Sequence, residues 1–183
     1  MLSILKFLSR YSSKKLFFEL IYFFKNPWNL YSREEVYRYQ YLNNFLIKKN
    51  KNKIYSNILE IGCGEGIHTS YLTNIANKVT SLDISKVAIE KAKKKHIKNA
   101  EFHNCIIEKY ITKEKYDLII ASEVIYYIKD IKKFIHRIES FKTNYIITYY
   151  SKENHKLRKF FNNNSYDIKT FNAYNQKWYL IFK

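Results

Sequence analysis

The sequence predicts an α/β fold: a seven-stranded, mostly parallel sheet with helices on both faces, an antiparallel C-terminal hairpin and an N-terminal helical cap. Three observations predict it. Short apolar segments alternate with amphipathic ones from residue 54 onward. Residues 116–121 contain an apolar run typical of the buried centre of a parallel sheet. The last two predicted strands, at 165–171 and 176–182, are joined too tightly for a crossover helix, so they must run antiparallel.

We interpret residues 1–53 as the helical cap and residues 54–183 as the core, the two forming one structural domain. Within the cap, residues 32–49 are predicted to be a helix because Ser32 and Glu35 have the spacing of a capping box.

The first predicted helix, at residues 13–25, carries an apolar run that Glu19 interrupts. This run is far shorter than the roughly 20 residues needed to cross a bilayer. Basic residues precede it as in a signal peptide, but no small-residue cleavage site follows, so we expect a cytoplasmic protein. We expect the helix to pack on the body of the protein; the alternative is an interfacial membrane helix with basic residues beside Phe and Leu.

Strands and helices alternate along the core, as a parallel sheet covered on both faces requires. The Asn and Tyr residues between the last two strands suit a hairpin turn. The first five strands are predicted at residues 57–61, 78–82, 100–104, 116–121 and 144–149. Helices are predicted at residues 66–75, after the capping residue Ser85, along the stripe of Ile131, Phe134, Ile135 and Ile138, and at residues 152–161.

The composition excludes several classes of protein. Hydrophobic residues make up 46% of the chain and aromatic residues 18%, which is too much for a disordered chain. Two cysteines cannot build a disulfide framework and suit a reducing cytosol, and no His/Cys cluster suggests a metal site. The net charge of +17 is nearly all lysine, and residues 1–53 and 151–183 hold +8 and +5 of it.

All three glycines of the chain lie in one loop, at Gly62, Gly64 and Gly66, after a strand and before a helix. Such a loop lets a ligand approach backbone N–H groups at the head of the sheet. The G-x-G-x-G spacing departs from the dinucleotide fingerprint, and the Gly-Lys-Ser/Thr of a Walker A loop is missing.

Two carboxylates flank this loop. Glu60 lies in the strand before it, and Asp83 ends the next strand, where it could accept hydrogen bonds from both ribose hydroxyls of a nucleoside. The alternative for Asp83 is the N-cap of the next helix, in competition with Ser85.

These segments resemble the class I S-adenosylmethionine-dependent methyltransferases, over about residues 54–183, which implies a Rossmann-like core and S-adenosylmethionine as cofactor. A narrower similarity to the nodulation protein S group of small-molecule N-methyltransferases lies at residues 122–128, at Asn26-Pro27-Trp28 and at Arg38. The segments that carry the broader resemblance are residues 58–66, 79–85 and 116–124.

The resemblance implies a cofactor site. Glu60 would hold the methionine ammonium, and Asp83 the two ribose hydroxyls. The backbone near the cofactor's carboxylate and ribose would be that of Gly62, Cys63, Gly64 and Gly66.

On the adenine side, the resemblance implies that Ile84 packs on the base. The family often has an acidic residue after the third strand, but residues 102–107 contain none. Asn104 or Cys105 would line the adenine site instead. Ser122 completes the predicted cofactor-binding set.

The acceptor site is expected past the fourth strand. There Glu123 could orient or deprotonate an amine, and Tyr126 and Tyr127 could wall the pocket. The alternatives are an ordinary exposed carboxylate and tyrosines that only pack. We expect His68 to lie on a helix surface rather than to face the cofactor.

Three residues of the cap are candidate substrate contacts: Trp28, Tyr31 and Arg38. Arg38 could bind an anionic substrate group, although a solvated helix face is the alternative that we slightly favour.

The sequence thus predicts a methyltransferase that acts on a small molecule, at nitrogen in preference to oxygen. One alternative is an RNA methyltransferase that uses the basic, aromatic flanks. A second is a non-catalytic subunit that binds the cofactor or a partner. The motifs of adenine-N6 and cytosine-C5 methylation are missing.

Overall fold

The computed structural model describes residues 14–24, 26–151, 155–162 and 166–183 and confirms the predicted sheet. Its strands are β1 (Tyr55–Ile61), β2 (Ala76–Asp83), β3 (Ala100–Asn104), β4 (Leu118–Ser122), β5 (Asn144–Tyr150), β6 (Asp167–Ala173) and β7 (Gln176–Phe182). They lie in the order β3-β2-β1-β4-β5-β7-β6. The first five are parallel, and β7 pairs antiparallel with β5 and β6.

Helices connect the strands in the order that the sequence predicts. The described α-helices are α1 (Lys14–Phe23), α2 (Arg33–Lys49), α3 (Ile67–Leu72), α4 (Lys86–Lys93), α5 (Ile131–Glu139) and α6 (His155–Asn162), and a 3₁₀ turn spans Ile125–Tyr127. None of these helices has both the length and the apolarity to span a membrane.

The apolar run of the fourth strand lies at the centre of the sheet. β4 pairs with β1 on one side and β5 on the other, and its residues 118–121 are buried. Because parallel strands end at the same edge, β1, β2 and β4 bring Glu60, Asp83 and Ser122 to one head of the sheet.

The predicted C-terminal hairpin is confirmed, but its first strand lies two residues later than predicted. Ala173 pairs with Gln176, so the turn is only Tyr174 and Asn175. Both have positive φ, 49° and 65°, which is the conformation of a type I′ hairpin turn. The turn thus falls on the Tyr and Asn residues that the sequence indicates, and only the bounds of the first strand differ, by two residues.

Other element boundaries also differ. The helix predicted at residues 66–75 ends at Leu72, because β2 begins at Ala76 to pair with Tyr55. The ends of the helices predicted at 13–25 and 152–161 fall on residues 13, 25 and 152–154, which lie outside the described residues.

Both faces of the sheet are covered, as predicted. α5 and α6 bury Phe134, Ile135, Ile138, Leu157 and Phe161 on one face. On the other face, α2 and α3 bury Leu42, Leu46 and Leu72. The helix α2, predicted as part of the cap, therefore also forms a layer of the core.

Candidate active site

A cavity of about 780 Å³ opens at the head of the sheet. It is bounded by the carboxyl ends of β1, β2 and β4, by α1 and by the 3₁₀ turn. Of the sequence-predicted site residues, its walls include Trp28, Arg38, Glu60, Gly62, Cys63, Gly64, Asp83, Ile84, Cys105, Ser122, Glu123, Tyr126 and Tyr127. The structure therefore brings most of the predicted site together.

The glycine loop forms the floor of this cavity, and its N–H groups are used within the chain. Gly62 and Cys63 donate to the Leu82 carbonyl, Gly64 donates to Asp83, and Gly66 donates to the Cys63 carbonyl. These four N–H groups therefore make hydrogen bonds within the chain.

Close packing explains why the loop needs glycine. Gly64 has φ +54°, and a Cβ built on it would lie 2.7 Å from the hydroxyl oxygen of Tyr22 on α1. Gly62 has φ +76°, and its Cβ would lie 2.6 Å from Cγ2 of Val124. Side chains at either position would push on the elements that close the cavity.

Asp83 bridges the loop and the start of α4. Its Oδ2 accepts the Gly64 N–H at 2.8 Å, and its Oδ1 accepts the Ser85 N–H at 2.8 Å. The N-cap of α4 is Ser85, not Asp83. Burial raises the pKa of Asp83 to about 6, with Glu60 and Glu19 adding to the rise and the two N–H groups opposing it.

Glu60 lies buried beside the loop. Its Oε2 accepts hydroxyl hydrogen bonds from Thr69 at 2.5 Å and Ser81 at 2.9 Å. Its Oε1 lies 3.3 Å from Nδ1 of His68. These contacts fix the carboxylate and leave Oε1 with acceptor capacity toward the cavity.

His68 corrects an expectation. It is 6% exposed and lines the cavity, so it does not lie on a helix surface. Its ring stacks on Tyr39 of α2, with centroids 5.0 Å apart and planes 20° apart. The helix α3 is sandwiched between the sheet and α2, and this burial is not visible in a six-residue helical pattern.

The residues after β3 divide between the cavity and the surface. Cys105 lines the cavity, together with Ile106. Asn104 is exposed, and its amide donates to the carbonyls of Asp83 and Ile84, so it shapes the loop from outside the cavity lining. Glu108 does line the cavity, one residue beyond the segment in which no carboxylate was found.

A hydrogen-bonded network lies past β4, where the sequence predicts the acceptor site. Arg38 of α2 donates to Oε2 of Glu35 and to the Ser122 hydroxyl. Ser122 and Thr148 share a hydrogen bond of 2.8 Å, and Thr148 donates to Oε1 of Glu123 at 3.0 Å.

Glu123 is held at the end of this network. Its φ is +59°, and its Oε2 accepts the Tyr126 hydroxyl at 2.7 Å, while the same hydroxyl oxygen accepts the Tyr150 N–H. Burial raises the pKa of Glu123, although Arg38 and the hydroxyl donors oppose the rise. This is a fixed, partly buried carboxylate rather than an ordinary exposed one.

Arg38 is 3% exposed, so the expectation of a solvated helix face is wrong. Burial disfavours its charge, but the carboxylates of Glu35 and Glu123 outweigh that effect and raise its pKa. The guanidinium therefore stays charged. It links α2 to the end of β4 through Ser122, which in turn bonds Thr148 of β5.

The helix α1 closes the site from above. Phe18 packs edge-on against Tyr127 at 5.0 Å, and the Trp28 ring lies 5.9 Å from the same tyrosine. Tyr31, in contrast, is exposed and lies outside the cavity lining.

Sequence reasoning missed several residues of the site. Tyr22, Glu35 and Glu108 line the cavity, and Thr148 supports Glu123. Glu108 lies one residue past the segment in which a carboxylate was sought, whereas Tyr22, Glu35 and Thr148 reach the site from elements distant in the chain, which no local pattern marks. Among the described residues, no group of three or more His, Cys, Asp or Glu could hold a metal ion.

The charge of the cavity opposes that of the whole chain. Although the chain has a formal charge of +17, acidic side chains outnumber basic ones in the described lining. The acidic residues are Glu35, Glu60, Asp83, Glu108, Glu123 and Asp130, and the basic ones are Arg38, Lys129 and Lys133. Such a site favours ligands with positive charge.

Known proteins similar to this chain include methyltransferases. The family model of nodulation protein S (NodS) matches residues 14–162. Nodulation protein S of Bradyrhizobium diazoefficiens is 33% identical over 75 residues, which are 40% of this chain and 36% of that protein. Malonyl-[acyl-carrier protein] O-methyltransferase of Bacillus anthracis is 34% identical over 84 residues, or 44% and 31% of the two chains. The matched segments thus span about a third of these relatives.

A solved structure extends the likeness over the whole fold. The N-methyltransferase NodS from Bradyrhizobium japonicum WM9, in complex with S-adenosyl-L-homocysteine, superposes with a TM-score of 0.72. The match covers 93% of this chain and 97% of that one at 18% identity. At that identity the likeness shows a shared fold.

Proposed function

The chain belongs to the nodulation protein S (NodS) family, and on that premise we propose that it transfers the methyl group of S-adenosylmethionine to a nitrogen atom of a small molecule. The solved relative from Bradyrhizobium japonicum is an N-methyltransferase in complex with S-adenosylhomocysteine, which supports this reaction class. The observation that carries the proposal is the cavity itself, in which Asp83 and Glu60 lie on one side and Glu123 on the other.

The residues present fit this cofactor. Each carboxylate oxygen of Asp83 accepts one backbone N–H and keeps a further lone pair. The two oxygens could therefore accept hydrogen bonds from the two ribose hydroxyls. Oε1 of Glu60 could accept the ammonium of the methionine part. The volume of about 780 Å³ lies within the range of small-molecule sites, and Ile84 offers an apolar wall for adenine.

When bound, the cofactor would supply a methyl group activated by a sulfonium, with S-adenosylhomocysteine as the leaving group for an attacking nitrogen lone pair. What the protein adds is position and charge. Glu123, fixed by Thr148 and Tyr126, would hold the acceptor amine and accept the proton that it must lose. Its raised pKa brings it closer to the pH at which such a base is effective.

Nitrogen is favoured over oxygen because a neutral amine already has a reactive lone pair. A hydroxyl usually needs a stronger base or a metal ion. The acidic lining would also attract a protonated amine, which then transfers its proton to Glu123.

Two alternative functions are an RNA methyltransferase and a non-catalytic subunit that binds the cofactor or a partner. The charge of the basic flanks favours RNA as acceptor. The acidic lining of the cavity argues against it, because a polyanion would be repelled at the point of reaction. A subunit that binds without catalysis would keep Asp83 and Glu60 but would not need the fixed carboxylate of Glu123.

Calorimetry with S-adenosylmethionine and S-adenosylhomocysteine tests cofactor binding, and we expect micromolar dissociation constants for the full chain. Mass spectrometry of a panel of primary amines, their matched alcohols and bulk RNA then tests transfer. Methylation of amines alone supports the proposal. Absence of cofactor binding contradicts both enzyme functions, and methylation of RNA or alcohols alone contradicts the proposed acceptor. Binding without any transfer favours the non-catalytic subunit.

A further inference from the structure

The helix α1 has two faces with different surroundings. One face packs on the protein: Ile21 and Tyr22 are buried, and Phe18 lines the cavity. The opposite face exposes large apolar side chains to solvent. We call this the apolar face of α1; its members are Leu16, Leu20, Phe23 and Phe24, which are 51%, 37%, 73% and 50% exposed.

These side chains are a contiguous patch rather than scattered residues. Leu16, Leu20 and Phe23 are spaced at i, i+4 and i+7, so they lie on one side of the helix. Phe24 follows directly after the helix. Contiguous exposed apolar surface is uncommon on soluble domains and marks surfaces that bind something.

The orientation of α1 is fixed by its polar contacts. The Glu19 carboxylate accepts hydrogen bonds from the Ser85 hydroxyl at 2.8 Å and from the N–H groups of Lys86 and Val87 at 2.8 and 3.0 Å. α1 is therefore docked on the start of α4, and rotation to bury the apolar face would break all three bonds.

Three lysines lie near this face. Lys15 is exposed on α1 itself, and Lys86, whose backbone N–H binds Glu19, has an exposed ammonium 3.7 Å from Glu90. Lys91 donates to the Phe24 carbonyl at 3.3 Å. In sequence, residues 1–13 contain two basic residues, five Leu, Ile or Phe residues and no acidic residue.

We propose that the apolar face of α1 binds the surface of an anionic lipid membrane, with the phenylalanines inserted among the acyl chains and the lysines against the headgroups. A helix with one apolar face flanked by basic residues binds such interfaces. A second copy of this chain is disfavoured as occupant, because two molecules of +17 repel each other. A nucleic acid would use the charge but not the exposed phenylalanines.

This surface is separate from the acceptor site, and the proposal goes beyond methyl transfer. Because the other face of α1 covers the cavity, membrane binding would hold the covered side of the active site against the lipid. The enzyme would then work at a membrane surface without spanning it.

Vesicle co-sedimentation of the full chain tests the proposal, with mixed phosphatidylcholine–phosphatidylglycerol vesicles and pure phosphatidylcholine vesicles. The variant is Phe23→Ser/Phe24→Ser. Its matched control is Ile54→Ser, which removes an exposed apolar side chain directly before β1, at the opposite end of the sheet. Calorimetry with S-adenosylhomocysteine and thermal unfolding monitor the fold of each variant, and analytical ultracentrifugation measures self-association.

We expect the chain to bind the anionic vesicles only, and added salt to weaken this binding. The control variant should bind as the unmodified chain does. The double variant should bind at least tenfold more weakly, since burying one phenylalanine contributes about that factor. Equal binding to both vesicle types, or double-variant binding equal to that of the unmodified chain, overturns the proposal. So does a dimer that the double variant abolishes, because a second copy then covers this face. A double variant that fails to fold is replaced by Leu20→Ser, judged by the same criteria.

Discussion

The carboxylate of Glu19 accepts a hydrogen bond of 2.8 Å from the hydroxyl of Ser85, the N-cap residue of α4. In the sequence, Glu19 is only an interruption of an apolar run. In the structure, it ties α1 to the strand end that carries Asp83, and it places Tyr22 over the glycine loop. The closure of the site therefore depends on a carboxylate outside the cavity lining.

Loss of this carboxylate should detach α1. We expect Glu19→Ala to destabilise the chain by about 1–2 kcal/mol, the range for lost helix capping, and to speed amide hydrogen exchange in α1. Urea unfolding and exchange measured by mass spectrometry check this. Glu90→Gln, an exposed carboxylate on α4, is the matched control. Unchanged exchange in α1 of Glu19→Ala would mean that apolar packing alone holds the helix.

Asp83→Ala should weaken binding of S-adenosylhomocysteine by a factor of about 100 or more, because two hydrogen bonds to a charged acceptor are lost. Calorimetry measures the change. Asp117→Ala is a closely matched control, since Asp117 also accepts two backbone N–H groups, those of Ser56 and Asn57, at the opposite edge of the sheet. Equal losses in both variants would indicate general destabilisation rather than a ribose contact.

Cofactor binding should depend on pH through Asp83, whose pKa is raised from 3.8 to about 6. Below pH 6 the carboxyl is protonated and must ionise to bind, so affinity should fall about tenfold per pH unit. The stability of the free chain should change in the opposite direction, decreasing as pH rises from about 4 to about 6, because the folded state binds this proton more tightly. Asp83→Asn should flatten both profiles, and retention of either slope argues for another group.

The ion pair of Arg38 and Glu35 should show strong coupling. Arg38→Met leaves Glu35 and Glu123 without a cation, and we expect a loss of about 3–5 kcal/mol, as for other broken buried pairs. Adding Glu35→Gln should restore part of this stability, because one uncompensated charge is removed. A double-mutant cycle in urea measures the coupling. Additive effects would show that the two side chains act independently.

Glu123→Gln should slow methyl transfer while cofactor binding remains intact, because the amide cannot accept the proton of the acceptor amine. In the unmodified chain, protonation of Glu123 should lower kcat at acid pH, and it should do so at a higher pH than an ordinary glutamate would, because its pKa is raised. Removing this base should abolish that acid limb of the plot of kcat against pH. Glu108→Gln, which removes another carboxylate of the cavity lining, is the control and should leave the pH dependence of kcat unchanged. A variant with full kcat and an unchanged profile would exclude Glu123 as the base.

Much of the fold could be predicted because its signals are local. The alternation of apolar strands and amphipathic helices, the glycines at one strand end and the capping pattern of Ser32 each depend on a few neighbouring residues. The boundary errors occurred where local signals are weak. The turn at Tyr174 and Asn175 has no glycine, and α3 is shortened by strand pairing that begins at Ala76.

The grouping of Glu60, the glycine loop and Asp83 at one end of the sheet was predictable for the same reason, since β1, its loop and β2 follow one another in the chain. The contacts of residues past β4 were not predictable. Arg38 meets Ser122 across 84 positions of sequence, and His68 is buried by Tyr39 of a different helix. No periodicity encodes such pairings, because they depend on how α2 packs on the sheet.

The sequence by itself determined the order of the elements, the place of the glycine loop and the two carboxylates beside it, because those features follow from spacing along the chain. Only the tertiary structure decided which charges are buried. It set the partners of Glu19, Arg38 and Glu123, and it made an acidic cavity in a basic protein. The physical reason is that burial and electrostatic pairing depend on distances in space, which sequence spacing alone does not fix.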